Sequence, residues 1–406
     1  MNEQPWARRI RKERRLRGWT QKECVQRLQY ESTRELPELS TMLDQWKRWE
    51  TGKVTPSPEY QRMIASLFGS VSAAFFAPRS PQEIMTSAAP DAGPELLARL
   101  QRSAVDQATI DGLRMTVDRL CADYPTVPAE QLLTEGKAWL SRVADLLDTR
   151  VTLAQHKEIL SLAGTLALLV GCLQMDIGAS AAAEATRRSA LSLGKESEDL
   201  SIVGWAHEMS AWFALTRGDY RGVLVAAEAG IIAAGDRSVS VQLHAQQAKA
   251  WSRIGDRGKV EVALDRGRRL LEELPPPIDP AHHFQVDPAK WDFYSMDVLR
   301  RVGDHTRADA LADEVIERGT DWSGQVVSPM RCAEALITKG VVAAHQGDLE
   351  AAVSYGDRAL EGDRQSLPSL ALVGRELGEV LVTDYRDEPA AEEYVEQLRD
   401  LSTLRQ

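Results

Sequence analysis

Apolar positions recur every three to four residues along almost the whole chain, the spacing of one face of an α-helix. Clean two-residue alternation, the mark of a half-buried strand, is missing, and Asn2 is the only asparagine, so no Asn-Gly hairpin exists. The chain reads as all-α. Near the N-terminus a helix stops at Gly18, and a second begins at Gln21, with Thr20 and Glu23 at capping-box spacing. A third helix runs roughly from Leu39 to Glu50, is ended by Gly52, and has Ser40 or Thr41 as its expected cap. Two shorter segments follow, up to about residue 76.

Residues 77–94 hold Pro78, Pro81, Pro90 and Pro94 among small residues, a composition that reads as a linker. Helical pattern then continues from Glu95 to the end, with lead-in helices over 95–150 and a repeating region over 151–406. Short marks recur there as Asp176-Ile177-Gly178, Gly218-Asp219-Tyr220, Gly255-Asp256, Gly303-Asp304 and Gly347-Asp348, with glycine intervals of 40, 37, 48 and 44 residues. Each mark separates an apolar helix from an Ala-rich one. A helix pair cannot bury its apolar face alone, so such pairs stack and share a core. Glycine permits the left-handed cap that ends one helix, and aspartate caps the next. Pro275-Pro276-Pro277 lies inside the longest interval and accounts for its excess length.

Charge changes the picture. The net −11 divides into +5 over residues 1–70 and −16 over the rest, a basic head on an acidic body. Such a head suits an anionic polymer, and the body does not. Four cysteines lie far apart, which excludes a disulfide scaffold and fits a reducing cytoplasm. The longest uncharged stretch, Ile159 to Met175, spans 17 residues and reads as a buried helix, short of the roughly 20 strongly apolar residues of a membrane span. No export signal is read at the N-terminus, and no membrane partner is expected.

With these residues in view, the head resembles the helix-turn-helix domain of the Xre, lambda-repressor-like family. The matching features are Thr20-Gln21 opening the second helix, Arg48-Trp49-Glu50-Thr51-Gly52 closing the third, and Pro56-Ser57-Pro58 before a helix ending Leu67-Phe68-Gly69. The body resembles degenerate tetratricopeptide repeats, whose usual period is about 34. Together the two halves are similar to actinobacterial Xre–tetratricopeptide regulators. The resemblance implies a lambda-repressor-like helix-turn-helix domain over 1–76 followed by a tetratricopeptide-like α-solenoid. It also implies a cytoplasmic, nucleoid-associated transcription regulator that binds double-stranded operator DNA as a homodimer. Its repeats would sense a small molecule, peptide or protein partner.

Carried over by position, the DNA-binding set is Thr20, Gln21, Lys22, Ser40, Thr41, Asp44, Gln45, Lys47, Arg48 and Lys53. Gln21 would touch phosphate, while Asp44, Gln45, Lys47 and Arg48 would sit on or near the face read into the major groove. From Gln21 to Trp49 is 28 positions, about ten more than the compact motif holds, so the turn is enlarged. Trp46 and Trp49 would pack the small core or touch bases. Asp44 would repel phosphate or accept from cytosine N4. The run Arg8 to Arg17 would contact phosphate or form a solvated face.

In the body, Trp205 and Trp212 lie seven apart and so share a helix face. With Gln246, Trp251, Trp291 and Tyr294 they would line a concave ligand surface, or they would fill helix-pair cores. Asparagine side chains, which hold peptide backbones in similar peptide-sensing regulators, are absent beyond Asn2, although Gln242, Gln246 and Gln247 offer a substitute. Catalytic patterns fail one by one. Gly194-Lys195 has Ser189 where a phosphate loop needs glycine, and His207-Glu208 has Ala211 where a zinc protease helix needs its second histidine. His282-His283 in the Pro-broken loop reads as surface decoration rather than a metal site. No enzyme activity and no cofactor are expected. The rival reading is a tetratricopeptide interaction scaffold whose head lacks specific DNA binding.

Overall fold

The computed structural model describes residues 4–32, 36–76, 105–149, 151–286, 288–362 and 364–403. Among these the chain is helical, with one isolated bridge between Thr320 and Val326 and no named strand. The proposed linker over 77–94 and the first ten lead-in residues lie outside the described residues.

The head contains α1 (Pro5–Leu16), α2 (Gln21–Glu31), α3 (Leu39–Glu50), α4 (Pro58–Leu67) and the single turn α5 (Ser72–Phe75). Thr20 and Glu23 form the expected reciprocal capping box at the start of α2. The cap of α3 departs from expectation. Glu38, with extended backbone (ψ 151°), occupies the cap position without a side-chain bond, which places Ser40 and Thr41 inside the first turn. A residue already in helical conformation cannot act as the extended cap. Trp6, Ile10, Cys24, Leu28, Met42, Trp46, Trp49, Ile64 and Phe68 form one small core, so both α3 tryptophans pack inward.

In the body, α6 (Gln107–Asp123) and α7 (Ala129–Leu147) lead into consecutive pairs: α8 (Leu153–Asp176) with α9 (Ser180–Glu196), α10 (Leu200–Thr216) with α11 (Tyr220–Ala234), and α12 (Ser238–Ile254) with α13 (Arg257–Glu273). Three more pairs follow, α14 (Pro288–Arg301) with α15 (His305–Arg318), α16 (Pro329–His345) with α17 (Leu349–Leu360), and α18 (Leu367–Asp384) with α19 (Pro389–Thr403). This is the stacked-pair plan of an α-solenoid.

The punctuation behaves as its chemistry requires. Gly218 and Gly303 adopt φ of +75° and +81°, and the other three marks lie in the same left-handed region. Asp219, Asp256, Asp304 and Asp348 each accept a backbone N–H three residues on, capping the helix that follows. Asp176 differs: it is buried at the end of α8 and accepts from Tyr124 Oη at 2.7 Å and from the Arg364 guanidinium at 2.9 Å. The apolar stretch from Ile159 is the middle of α8, a helix long and apolar enough to cross a membrane but mostly buried among its neighbours here.

The stack curls back on itself. Arg364, in the turn between α17 and α18, donates to the Tyr124 carbonyl at the end of α6 (3.0 Å), and Trp212 of α10 donates to Ser369 of α18 (2.9 Å). The loop after Pro275-Pro276-Pro277 is drawn into this closure. His283 N–H donates to the Cys121 carbonyl (3.0 Å), and His282, Phe284 and Val286 are buried. The two histidines are therefore structural, not surface decoration, because the proline break returns the chain across α6.

Candidate functional site

Two places hold polar groups that the fold does not explain: the outer face of α3 and the inside of the curled body.

On α3 the spacing separates two faces. Met42, Trp46 and Trp49 are buried, while Ser40, Thr41, Asp44, Lys47 and Arg48 are exposed. Thr41, Asp44, Gln45 and Arg48 stand at i, i+3, i+4 and i+7, one stripe along the helix. Lys47 is paired with Asp44 at 3.0 Å, an exposed contact that a stronger partner would replace at little cost. Gln45 is half-buried, and its Oε1 has no partner. Lys22 and Lys53 are exposed, and the Thr20 hydroxyl is spent on its cap.

Two sequence expectations need correction. Gln21 is half-buried and donates to Glu50 (2.8 Å), so its amide is engaged in the head's own core. The basic run of α1 also points largely inward. Arg14 pairs with Glu50 (2.6 Å), Arg11 reaches the Glu50 carbonyl, and Arg17 pairs with Glu13 and donates to the Phe68 carbonyl (2.8 Å). Arg9 is buried against Asp292 of α14 (3.0 Å), and Lys12 lies 3.5 Å from Asp313 of α15. Only Arg8 and Arg15 of the arginines on this helix are exposed. A helix sandwiched between a small core and a second domain turns its cations to whichever carboxylates those surfaces offer.

These contacts dock the head on the body. Asp292 also accepts from Ser70 (3.1 Å) and Arg318 (3.1 Å), and Glu272 of α13 accepts from the Ser72 amide (2.7 Å) and hydroxyl (3.1 Å). A cleft of about 810 Å³ remains between head and body, floored by Trp291, Val298 and Leu264 and rimmed by Arg17, Arg257, Arg268 and Arg307. The last of these is held below the usual arginine value by burial and by Arg17.

Inside the body, a cavity of about 160 Å³ is lined from α10, α12, α14, α16 and α18. Of the aromatic and glutamine set, Trp212, Gln246 and Tyr294 line it. The remaining three tryptophans do not. Trp205 is buried against Phe284, Trp251 lies under Lys259, and Trp291 floors the head–body cleft. Gln247 points away and donates to Glu228 (3.2 Å).

The cavity is far more charged than the aromatic count suggested. Glu208 accepts from Gln242 (2.8 Å) and Gln246 (2.7 Å); burial pushes its carboxyl up, and those two amides only partly offset it. Asp297 is held well below the ordinary carboxylate range, because Arg253, Lys249 and Arg300 outweigh its burial. Arg253 bridges Asp297 (3.1 Å) and Glu376 (2.8 Å), and Arg300 joins the same pair of carboxylates and Thr338 (2.7 Å). Lys249 and Glu334 face the same space.

A signal for these residues exists in the sequence. Gln242, Gln246, Lys249 and Arg253 are spaced 4, 3 and 4 apart on α12, a polar stripe of helical period. Among the described residues no group of three or more His, Cys, Asp and Glu is placed to hold a metal ion.

The chain matches no known family model and no curated protein.

Proposed function

We propose that this protein is a sequence-specific DNA-binding regulator whose helical-repeat body senses a ligand. The carrying observation is α3. Its inner face is locked by Met42, Trp46 and Trp49, while the opposite face presents Thr41, Asp44 and Arg48 as one exposed stripe, with Lys47 exposed on the same helix and Gln45 half-buried along it. A rigid helix with an outward stripe of groups able to bond base edges suits the major groove, where Arg pairs with guanine. The body offers the matching input. Helix α14 contributes Phe293, Tyr294 and Asp297 to the cavity and, from the same turns, Asp292 to the head. The regulator would act as a homodimer, with the repeats setting the spacing of two heads on an inverted operator.

Selection of random duplexes on the full-length protein, followed by salt titration of the winning sequence, tests this reading. An enriched motif with a steep salt slope is expected. Arg48→Ala should cost about 1–3 kcal/mol of discrimination at one base position and leave folding intact, since the side chain is exposed. Discrimination unchanged in that variant would remove Arg48 from the reading face.

One observation favours the rival scaffold reading: Gln21 and most cations of α1 are committed within the protein, which leaves fewer groups for phosphate. No enrichment even at low salt, together with salt-insensitive capture of a defined protein, would establish it.

A further inference from the structure

The body cavity contains an acid and a base that the fold leaves unspent. Lys249 is only 9% exposed, yet its ammonium makes no hydrogen bond among the described residues. Its contacts are Asp297 at a long 3.9 Å and the faces of Phe293 and Tyr294, each ring centre 5.3 Å away. Asp297 is already saturated by Arg253 and Arg300. Glu334, on α16, lines the same cavity, and its carboxylate has neither a hydrogen bond nor an ion pair within the described residues. The two do not pair with each other. Two acceptors are orphaned beside them: Gln242 and Gln246, the latter 6% exposed, both turn their amide N–H₂ to Glu208 and leave Oε1 buried without a partner. Burying acceptors unsatisfied costs free energy, and the two glutamine oxygens, set around one space with a loosely held cation and a half-exposed carboxylate, imply a missing molecule.

We infer that this cavity binds a free zwitterionic α-amino acid. Its carboxylate would accept from Lys249, its ammonium would donate to Glu334 and Gln246 Oε1, and its side chain would lie among Trp212, Phe293 and Tyr294. Size fits the class. A volume of about 160 Å³ resembles cavities that take a molecule of roughly 6–10 non-hydrogen atoms, which admits one amino acid. Charge agrees: a zwitterion gives Lys249, held only at a long 3.9 Å from Asp297, a carboxylate and gives Glu334 a hydrogen-bond donor. The inference rests on the reading of the body as a ligand sensor, but not on DNA binding by the head.

The test uses the full chain, with each of the twenty free amino acids added singly at millimolar concentration. Melting is followed first, and calorimetry then measures any hit. At least one amino acid should raise the melting temperature, and its N-acetyl and carboxamide derivatives should bind about 10- to 100-fold more weakly, since each removes one charge-assisted bond. Lys249→Met and the isosteric Glu334→Gln should weaken the hit by a similar factor. Should Lys249→Met fail to fold, the blocked derivatives on the unmodified protein still decide. Absence of binding by all twenty overturns the inference, as does equal binding of the blocked derivatives, or of a short peptide in place of the amino acid. Binding of an amino acid by a protein that selects no DNA would leave this inference standing and remove the regulator reading; DNA selection without amino-acid binding would do the reverse.

Discussion

Glu50 is the most connected side chain of the head. It accepts from Arg14 Nε (2.6 Å), Gln21 Nε2 (2.8 Å) and Trp46 Nε1 (2.7 Å), tying α1, α2 and α3 together at one carboxylate. Burial pushes Glu50 up, but these three donors hold it below the ordinary carboxylate range. A lowered folded value means that its contribution is complete above the unfolded carboxylate pKa, near 4, and is lost as pH falls through the folded one. Removing the carboxylate strands an arginine and an indole N–H together. Glu50→Ala should therefore destabilise the head by about 3 kcal/mol, somewhat discounted because Arg14 retains solvent contact. Urea unfolding followed by the fluorescence of the head tryptophans checks this; a midpoint within error of the parent would mean that the network is idle. The sequence placed Glu50 in a family-like string but did not reveal this role, because three donors from three helices meet only after packing.

At the level of the element, the body's helix pairs were readable because their punctuation is local. A left-handed glycine and an aspartate cap depend on the backbone of four or five residues, so Gly303-Asp304 and Gly347-Asp348 announce their turns wherever they occur. Asp304→Ala removes an acceptor for the Arg307 amide and should cost about 1 kcal/mol, seen as a shift in the urea midpoint with unchanged slope. Asp304→Asn, which keeps the acceptor, should recover most of it. The cap of α3 was misplaced for the same local reason: Ser40 and Thr41 are better capping residues than Glu38, but Pro37 and the extended backbone at Glu38 start the helix earlier. The polar stripe of α12 was legible as spacing, yet its meaning was not. Gln242, Gln246, Lys249 and Arg253 acquire a function only opposite α14, α16 and α18.

Across the whole molecule, the head and body are joined by a buried charge. Burial pushes Asp292 up, but Arg9, Arg318 and Ser70 outweigh it and hold its carboxyl below the usual range. By the same sign, docking is complete above about pH 4 and is lost as pH falls through the lowered value. Asp292→Asn imposes that loss at neutral pH: Arg9 forfeits its carboxylate in a buried site, at a cost of about 3–5 kcal/mol. Small-angle scattering should then report a larger radius of gyration, with the body's melting nearly unchanged. An unaltered radius would show that the apolar contact through Val71, which belongs to the body's core cluster, holds the head without the ion pair.

By itself, the sequence determined the helical class, the stacked pairs, the turns between them and the two-faced character of α3. Each follows from periodicity or capping within a few residues, and such effects survive in any packing. Only the tertiary structure decided that Arg11 and Arg14 of α1 serve the head's own core and Arg9 the body, that the histidine loop closes the curl, and that charges from several helices converge on one cavity. Convergence depends on the curvature of the stack. Curvature is the sum of many small packing angles, and no single segment of sequence encodes it.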